Sequence, residues 1–421
     1  MTLLGIAAFF GLMILGAPIW AAMLVSGGII LVLDIGMPVE AAVSQLFIAI
    51  DSWLLLAVPF FLLAGNLMTE MGLAGRLFRF VENLLGHLRG GLPATGVLTC
   101  AIFGSLSGSS TATVVAVGSM LLPYMIRAGY DRKDALGVIA VSGTLGQMIP
   151  PSIYMILFAA IAQMDVSRLF LAGLLPGLVI TLMLVLTAVG LSWFSDRKLR
   201  DKASPAELRR SFFSALPALA MPVIVLGGIY AGLFTPTEAA AVAVAYVMVM
   251  SVIFERRHVT LANLVRSAEA AATTTTIIFV ILGGATVFAN GLTFANIPQS
   301  FTLFMTSLPV GEHVAMLMIL VIFLVLGTVL DPVPILYITI PIVFPVVLAL
   351  GYSPTHFAIL TVACMMVAQV TPPVGMSLFA LSGYFNVPIA TVMRGALPYF
   401  AALILALLIL WSVPSLSTFV E

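Results

Sequence analysis

Four short stretches of this chain set hydroxyl side chains, glycine and proline inside otherwise apolar runs. They are Gly104-Ser105-Leu106-Ser107-Gly108-Ser109-Ser110-Thr111, residues 143–152 ending in Pro150-Pro151-Ser152, Gly327-Thr328 with Asp331-Pro332-Val333-Pro334, and residues 369–376 around Pro372-Pro373. Proline lacks an N–H and forces the preceding residue out of helical geometry, so adjacent prolines unwind a helix and leave carbonyls unpaired. At membrane depth each such carbonyl needs a partner, and a bound cation is one. Ser and Thr hydroxyls supply further hard oxygen ligands of the kind that suits Na⁺. The half-helices that restart after each break turn their positive N-termini inward, which favours an anionic group. If the breaks converge, Ser110, Asp331, Pro150, Pro151, Ser152, Pro372 and Pro373 line the common site. The same stretches also admit a plainer reading, as kinks and close helix contacts.

Asp331 is the only Asp, Glu, Lys or Arg between 313 and 393. An acid within a membrane segment points to a cation or a substrate group as partner, the alternative being an acid that reaches water at a hairpin mouth. Asp51 reads as interfacial. His87, His258, His313 and His356 are scattered without metal-ligand spacing, and Cys100 and Cys364 sit far apart in apolar runs. No glycine-rich stretch is followed by the Lys-Ser/Thr of a nucleotide loop, so ATP hydrolysis has no site in this sequence. A membrane enzyme would need a reactive pair, and Asp331 stands alone.

The elements that must position these residues are transmembrane helices. Hydrophobic residues make up 62% of the 421 residues and charged residues 8%, far below the charge a soluble surface of this size requires. Lys+Arg and Asp+Glu are balanced at 17 each, which leaves no basic field for nucleic acid. The apolar runs are continuous rather than alternating, so the spans are helical, not strands of a barrel. Candidate spans are 3–33 (broken near Gly16-Ala17-Pro18), 53–72, 133–163, 169–195, 214–232, 237–254, 273–292, 354–385 and 391–413. The runs 92–126 and 313–350 exceed one span and carry a polar or proline-rich centre, which predicts two re-entrant helical hairpins. Arg76, Arg79, Arg89, Arg127, Arg132, Lys133, the basic cluster of segment 196–213, Arg256 and Arg257 all fall on one side if 92–126 enters and leaves by the same face. By the positive-inside rule that side is cytoplasmic. The second hairpin then opens from the other side, and the C-terminus lies outside. Whether 3–33 is one span or two stays open, and with it the side of the N-terminus.

The segment 196–213 divides the chain into a first repeat, 1–195, with its hairpin 92–126 and broken helix 133–163, and a second, 214–421, with hairpin 313–350 and broken helix 354–385. A shift of 222 residues pairs Pro123 with Pro345, Gly129-Tyr130 with Gly351-Tyr352, Gln147 with Gln369, Pro150-Pro151 with Pro372-Pro373, Gly173 with Gly395 and Leu175-Pro176 with Leu397-Pro398. Every proline between 123 and 176 finds a proline partner. The copies begin on opposite sides of the membrane, so the repeat is inverted, the architecture of secondary transporters with a site near the midplane.

These residues carry a resemblance. Gly-Ser-Leu-Ser-Gly-Ser-Ser-Thr-Ala at 104–112, Gly-Tyr at 129–130, Leu-Gly-Gln-Met-Ile-Pro-Pro-Ser at 145–152, Phe-Leu-Ala-Gly-Leu-Leu-Pro-Gly at 170–177, Thr-Pro-Pro-Val-Gly at 371–375 and Pro-Phe-Phe-Leu-Leu-Ala-Gly-Asn-Leu-Met at 59–68 resemble the large membrane subunit of tripartite ATP-independent periplasmic (TRAP) transporters. One visible departure is Gln147, where an apolar residue is expected. The resemblance implies an all-α elevator-type fold of the ion transporter superfamily in a bacterial or archaeal cytoplasmic membrane. It implies sodium-coupled uptake of a small organic acid delivered by a periplasmic binding protein, with a small four-helix membrane subunit as partner. An apolar run that starts so near Met1 is the pattern expected of the unfused form. The resemblance also places Na⁺ sites at the hairpin tips: Gly104, Ser107, Ser109 or Thr111 with Gly143 and Gly146, and Gly327 and Thr328 with Gln369, Thr371 and Gly375. A one-component carrier or antiporter of the same superfamily is the alternative.

Overall fold

The structure is a computed structural model and describes residues 2–193 and 201–421. Arg197, Lys198 and Arg200 of the segment between the repeats lie outside the described residues. Among the described residues every regular element is helical, and seven helical segments are long and apolar enough to cross a membrane.

The first run is not one span. Helix α1 (Thr2–Ile14) and α2 (Ile19–Gly28, continued by a wider turn to Asp34) are separated by Gly16, at φ +81°, and Pro18. α1 folds back along α2, with Gly5 against Ile30 and the Thr2 hydroxyl donating to the Asp34 carboxylate. At 1.5 Å per residue the two arms reach only about 20 and 24 Å, short of a bilayer core of roughly 30 Å. Then come α3 (Val39–Ile50), α4 (Ala57–Glu70) and the amphipathic α5 (Leu73–Leu85), whose Leu73, Ala74, Leu77, Phe78 and Val81 are buried along one face. The first hairpin is α6 (Gly91–Ser107) and α7 (Ser110–Arg127). It is followed by α8 (Arg132–Ser142), a tight turn at Gly143–Gln147, α9 (Ile153–Ala162) and α10 (Val166–Trp193).

Helix α11 (Pro205–Tyr230) begins nine residues before the apolar run at 214, inside the segment read above as a linker. The cause is a capping box that hydropathy does not register: Ser204 accepts from the Glu207 N–H, the Glu207 carboxylate accepts from the Ser204 N–H, and Pro205 opens the first turn. The remaining helices are α12 (Pro236–Phe254), α13 (Leu261–Phe294), α14 (Ile297–Ser307), the second hairpin α15 (Glu312–Gly327) and α16 (Pro332–Ala349), α17 (Pro354–Ala368), α18 (Met376–Phe385) and α19 (Ile389–Ser412).

The two hairpins open at opposite ends of the molecule. Pro93, Met125, Tyr130, Asp134, Ser192 and Arg394 line one small cavity, and Arg89 lies 6.0 Å from the Trp193 ring centre. Both ends of the first hairpin, the start of α8, the end of α10 and the start of α19 therefore share one level, the arginine-rich one. At the other level His313 Nδ1 lies 3.0 Å from the Tyr352 hydroxyl, its ring meets Trp411 edge-on, and His356 Nδ1 lies 2.6 Å from Ser417 Oγ. There both ends of the second hairpin meet the C-terminal residues.

The halves interleave: α19 packs on α8, and α10 packs on α17. The α8–α19 crossing is close because glycine faces glycine. A Cβ on Gly137 would stand 2.0 Å from the Gly395 carbonyl carbon, and one on Gly395 would stand 1.8 Å from the Lys133 oxygen. A second layer surrounds this pair of hairpins and broken helices. In it α2, α3 and α4 pack on α13, α12 packs on α4, and α11 packs on α12 and α5. The short helices α5 and α14 bridge the layers, α5 against α6 and α14 against α16. α5 is anchored by Arg76, which donates to Glu255 (2.5 Å), the Phe254 carbonyl (2.6 Å) and Ser214 (2.9 Å). Burial alone would raise the Glu255 carboxyl; the Arg76 hydrogen bond and charge, then His258, outweigh it and hold its pKa below the usual carboxylate range.

The close crossing makes a direct test. Gly395→Leu drives a side chain into backbone and should cost about 3 kcal/mol or more, seen as a lower melting temperature or loss of the monodisperse peak in detergent. Gly190→Leu, at a glycine with nothing within 4 Å, should behave like the parent. Equal stability of the two variants would rule out the crossing.

Candidate functional site

Each broken helix is opened by its Pro-Pro pair, and the Pro150–Pro151 and Pro372–Pro373 bonds are both cis. Four helices restart around the breaks and hairpin tips: α7 at Ser110, α9 at Ile153, α16 at Pro332 and α18 at Met376. Three have a side-chain cap: Ser109 accepts from the Ala112 N–H, Ser152 from the Met155 N–H and Asp331 from the Val333 N–H. Their N-termini supply positive partial charge to the region between the tips.

The first tip meets the first break through bare backbone. A Cβ on Gly104 would lie 2.7 Å from the Gly146 Cα, and the converse holds for Gly146, so neither position has room for a side chain. Gly143 is closed off in the same way by Val114. Around this contact runs a chain of hydroxyls. Ser107 Oγ lies 2.8 Å from Thr113 Oγ1, Thr113 donates to the Ser109 carbonyl (2.7 Å), and Ser109 Oγ lies 3.1 Å from Thr111 Oγ1. Thr113 lies outside the expected set; its one sequence signal is its place one helical turn past Ser109, on the same face of α7.

The second tip meets the second break by hydrogen bonds. The Thr328 carbonyl accepts from the N–H groups of Val374 (3.2 Å) and Gly375 (3.4 Å), and Gly327 packs on Ala368. Gly375 adopts φ +56°, and a Cβ there would stand 3.2 Å from the carbonyl oxygens of both Gln369 and Thr371. The Gln369 carbonyl also accepts from the Ser377 N–H at 3.2 Å, so the second break is held against Gly375 by its own backbone. The hydroxyls of Thr328 and Thr371 donate to carbonyls of their own chain, Val325 and Val367, which leaves their oxygen lone pairs as acceptors.

Of the residues expected to line a substrate site, Ser110, Pro150, Pro151 and Ser152 are buried, Asp331 is half-buried, and Pro372 and Pro373 are exposed. The two breaks touch through side chains. Gln147 Nε2 donates to Gln369 Oε1 and to Ser110 Oγ, each at 2.5 Å, and Ser152 Oγ donates to the Gln147 carbonyl at 2.5 Å. Tyr154 lies beside Gln369 and near Asp331, and Ser377 donates to Gln369 Oε1 at 3.4 Å. Tip, break, break and helix start thus form one polar cluster within an apolar core. No periodicity marks Tyr154 or Ser377 as members, since both lie in apolar helices.

A cleft of ≈ 440 Å³ separates the two layers on the side toward which α9 and α16 run. Asp51 and Ser52 before α4, Asn290 and Thr293 on α13, and Gln163, Tyr337 and Pro341 line it. Asp51 therefore faces this polar cleft between layers.

The chain matches the family described as "Tripartite ATP-independent periplasmic transporter, DctM component" over residues 6–416. It is 37% identical over 392 residues to the C4-dicarboxylate TRAP transporter large permease protein DctM of Pseudomonas aeruginosa, covering 93% of this chain and 92% of that one. It is 34% identical to the isethionate TRAP transporter permease protein DctMQ of Oleidesulfovibrio alaskensis, covering 99% of this chain and 65% of that one. It is 33% identical to the ectoine TRAP transporter large permease protein TeaC of Halomonas elongata, covering 100% and 99%. Its fold is similar to that of the YdaH transporter of Alcanivorax borkumensis, with a TM-score of 0.63 at 15% identity over 90% of this chain and 88% of that one. These relatives are transport permeases, and the apolar spans agree with a multi-pass protein of the inner membrane. The chain belongs to the DctM family, the large permease subunits of tripartite ATP-independent periplasmic transporters.

Proposed function

We propose that this subunit couples the inward movement of Na⁺ to the uptake of a small organic acid, with the two hairpins and broken helices moving as one block. The observation that carries the reading is the gathering of neutral oxygens at both tips: the hydroxyl chain of Ser107, Ser109, Thr111 and Thr113 at the first, and the Thr328 and Thr371 hydroxyls with the Thr371 carbonyl beside Gly375 at the second. Both sets offer neutral oxygen, which suits a monovalent hard cation. The first tip has no carboxylate to relay a proton. An anionic substrate then meets helix N-termini and the bound cations, which offset its charge in a low-dielectric site. The C4-dicarboxylate and isethionate named for two relatives are small organic anions of this kind, while ectoine widens the range of solutes in the family. In the mechanism Gly104, Gly143 and Gly146 keep backbone close to the first cation, Thr328 and Gly375 hold the second tip on its break, and Asp331 fixes the start of α16 beside the substrate.

Losing one oxygen ligand removes about 1–1.4 kcal/mol, or close to a tenfold change in affinity. Thr371→Ala and Ser109→Ala should therefore raise the Na⁺ concentration for half-maximal uptake roughly five- to tenfold, measured with proteoliposomes of the complete transporter. Uptake driven equally well by a proton gradient without Na⁺ would end the sodium reading.

A moving block is supported by the cleft that lies between the layers and by the short bridging helices α5 and α14. Cysteines placed at Asn290 and Pro341, on opposite walls of the cleft, should stop uptake when joined by a bifunctional thiol reagent. Cys100 and Cys364 are buried and contribute little background. Full turnover with the bridge formed would contradict a moving block.

The family's tripartite description supports a periplasmic binding protein and a small membrane subunit as partners, and the DctMQ relative has about a third of its length beyond the part matched here. Large exposed apolar side chains on α1, α11 and α12, among them Ile14, Phe213, Val223 and Ile253, give such a subunit apolar surface to cover. Liposomes holding this subunit alone, given a sodium gradient and free substrate, should show no uptake above background. Robust uptake there would make it a one-component carrier.

A further inference from the structure

Gln147 and Gln369 occupy the same place in the two repeats, and in the folded protein each is the other's hydrogen-bond partner. A residue that lies on a pseudo-twofold axis meets its own counterpart, and these two meet at 2.5 Å with 0% and 1% exposure. The Gln147 amide also holds Ser110 at the first hairpin tip, and Ser377 at the start of α18 donates to the same Gln369 oxygen. One buried amide pair therefore ties together the first tip, the first break, the second break and the helix that follows it.

Its neighbours in the chain are the groups that would hold cations. Gly146, whose backbone lies against Gly104 at the first tip, is bonded directly to Gln147. Gln369 stands two residues before Thr371, and the carbonyls of both lie against Gly375 at the second tip. A shift of the first break that accommodates a cation moves Gln147, and a hydrogen bond inside a low-dielectric core transmits that displacement because breaking it leaves buried amide atoms unpaired. The remaining Gln147 amide oxygen has no hydrogen-bond partner among the described residues, so the pair is joined by a single bond.

We propose that the Gln147–Gln369 bridge couples the two cation sites, so that Na⁺ bound at one tip raises affinity at the other. Gln147 is then a positioning residue, not a ligand. The inference rests on the sodium-coupled reading above. Coupling between two sites is reciprocal and commonly amounts to five-fold or more in affinity, enough to steepen the Na⁺ dependence of uptake.

The test is the Na⁺ dependence of initial uptake rate in proteoliposomes of the complete transporter. A parallel titration follows thermal stabilisation of the purified membrane complex by Na⁺, which needs no turnover. The parent should give a Hill coefficient clearly above 1. Gln147→Leu, which removes the bridge and the unpaired oxygen while keeping most of the volume, should lower it toward 1 and raise half-saturating Na⁺ about fivefold in both assays. Gln369→Leu and the double variant should give the same loss of steepness as the single change, since all three remove the Gln147–Gln369 bond; Gln369→Leu also serves if Gln147→Leu fails to fold. Ser110→Ala leaves the glutamine pair bonded and should keep the steepness. Uptake that still requires Na⁺, with an unchanged Hill coefficient in Gln147→Leu, would overturn the bridge and leave sodium coupling standing. A parent with hyperbolic Na⁺ dependence overturns it too. Uptake that ignores Na⁺ altogether removes the sodium reading itself.

Discussion

Backbone polar groups cannot be left open inside a bilayer, and the centre of this protein is organised around that constraint. Two helices are unwound at Pro-Pro pairs and two hairpins stop halfway, which exposes carbonyls and N–H groups where no water is supplied by the surroundings. The fold answers by setting each hairpin tip against a break. Val374 and Gly375 give their N–H groups to the Thr328 carbonyl, while at the first tip Ser107, Ser109 and Thr113 close the turn with hydroxyls. At the second break the Gln369 carbonyl accepts in turn from the Ser377 N–H. The groups opened by each break are thus taken up by the opposing tip or by the helix that restarts behind it.

The same constraint explains the glycines. Two interrupted helices and two hairpins must approach closely enough for these bonds to form, and a Cβ at Gly104, Gly146, Gly137 or Gly395 would intrude on backbone. Because α19 of one half lies on α8 of the other, and α10 on α17, neither half can form its core without the other. The hairpins then share their environment with their counterparts, which is why a cluster of side chains drawn from residues 110–377 can be continuous.

Much of this was legible in the sequence because the signals are chemical and local. Pro-Pro within an apolar run, a Ser/Thr/Gly tip, and prolines repeating at a fixed offset each have few alternative meanings in a membrane. Elements set by weaker or longer-range terms were not. The fold-back of α1 on α2 depends on Gly5 packing under Ile30, which no hydropathy window reports. The start of α11 depends on Ser204 and Glu207, two polar residues that hydropathy scores as loop. Tyr154 and Ser377 join the polar cluster only through tertiary contact, whereas Thr113 follows Ser109 by one helical turn and is bound locally. Gln147 was visible as an anomaly, and the repeat had already paired it with Gln369. The missing step was geometric: matched positions near the axis of a twofold repeat are the ones that touch.

The repeat is most informative where it fails to be symmetric. The offset that carries Gln147 onto Gln369 also carries Ser109 onto Asp331, and both side chains cap the helix that restarts behind the tip. One geometric task is thus done by a neutral hydroxyl in the first half and by an acid in the second. The prolines differ as well: Pro150 and Pro151 are buried, whereas Pro372 and Pro373 are exposed. A carboxylate at a helix N-terminus cancels part of the positive end that would otherwise attract an anion, while a serine leaves it in place. Two positions of one ancestry are in this way filled by groups of different chemistry without any change of fold.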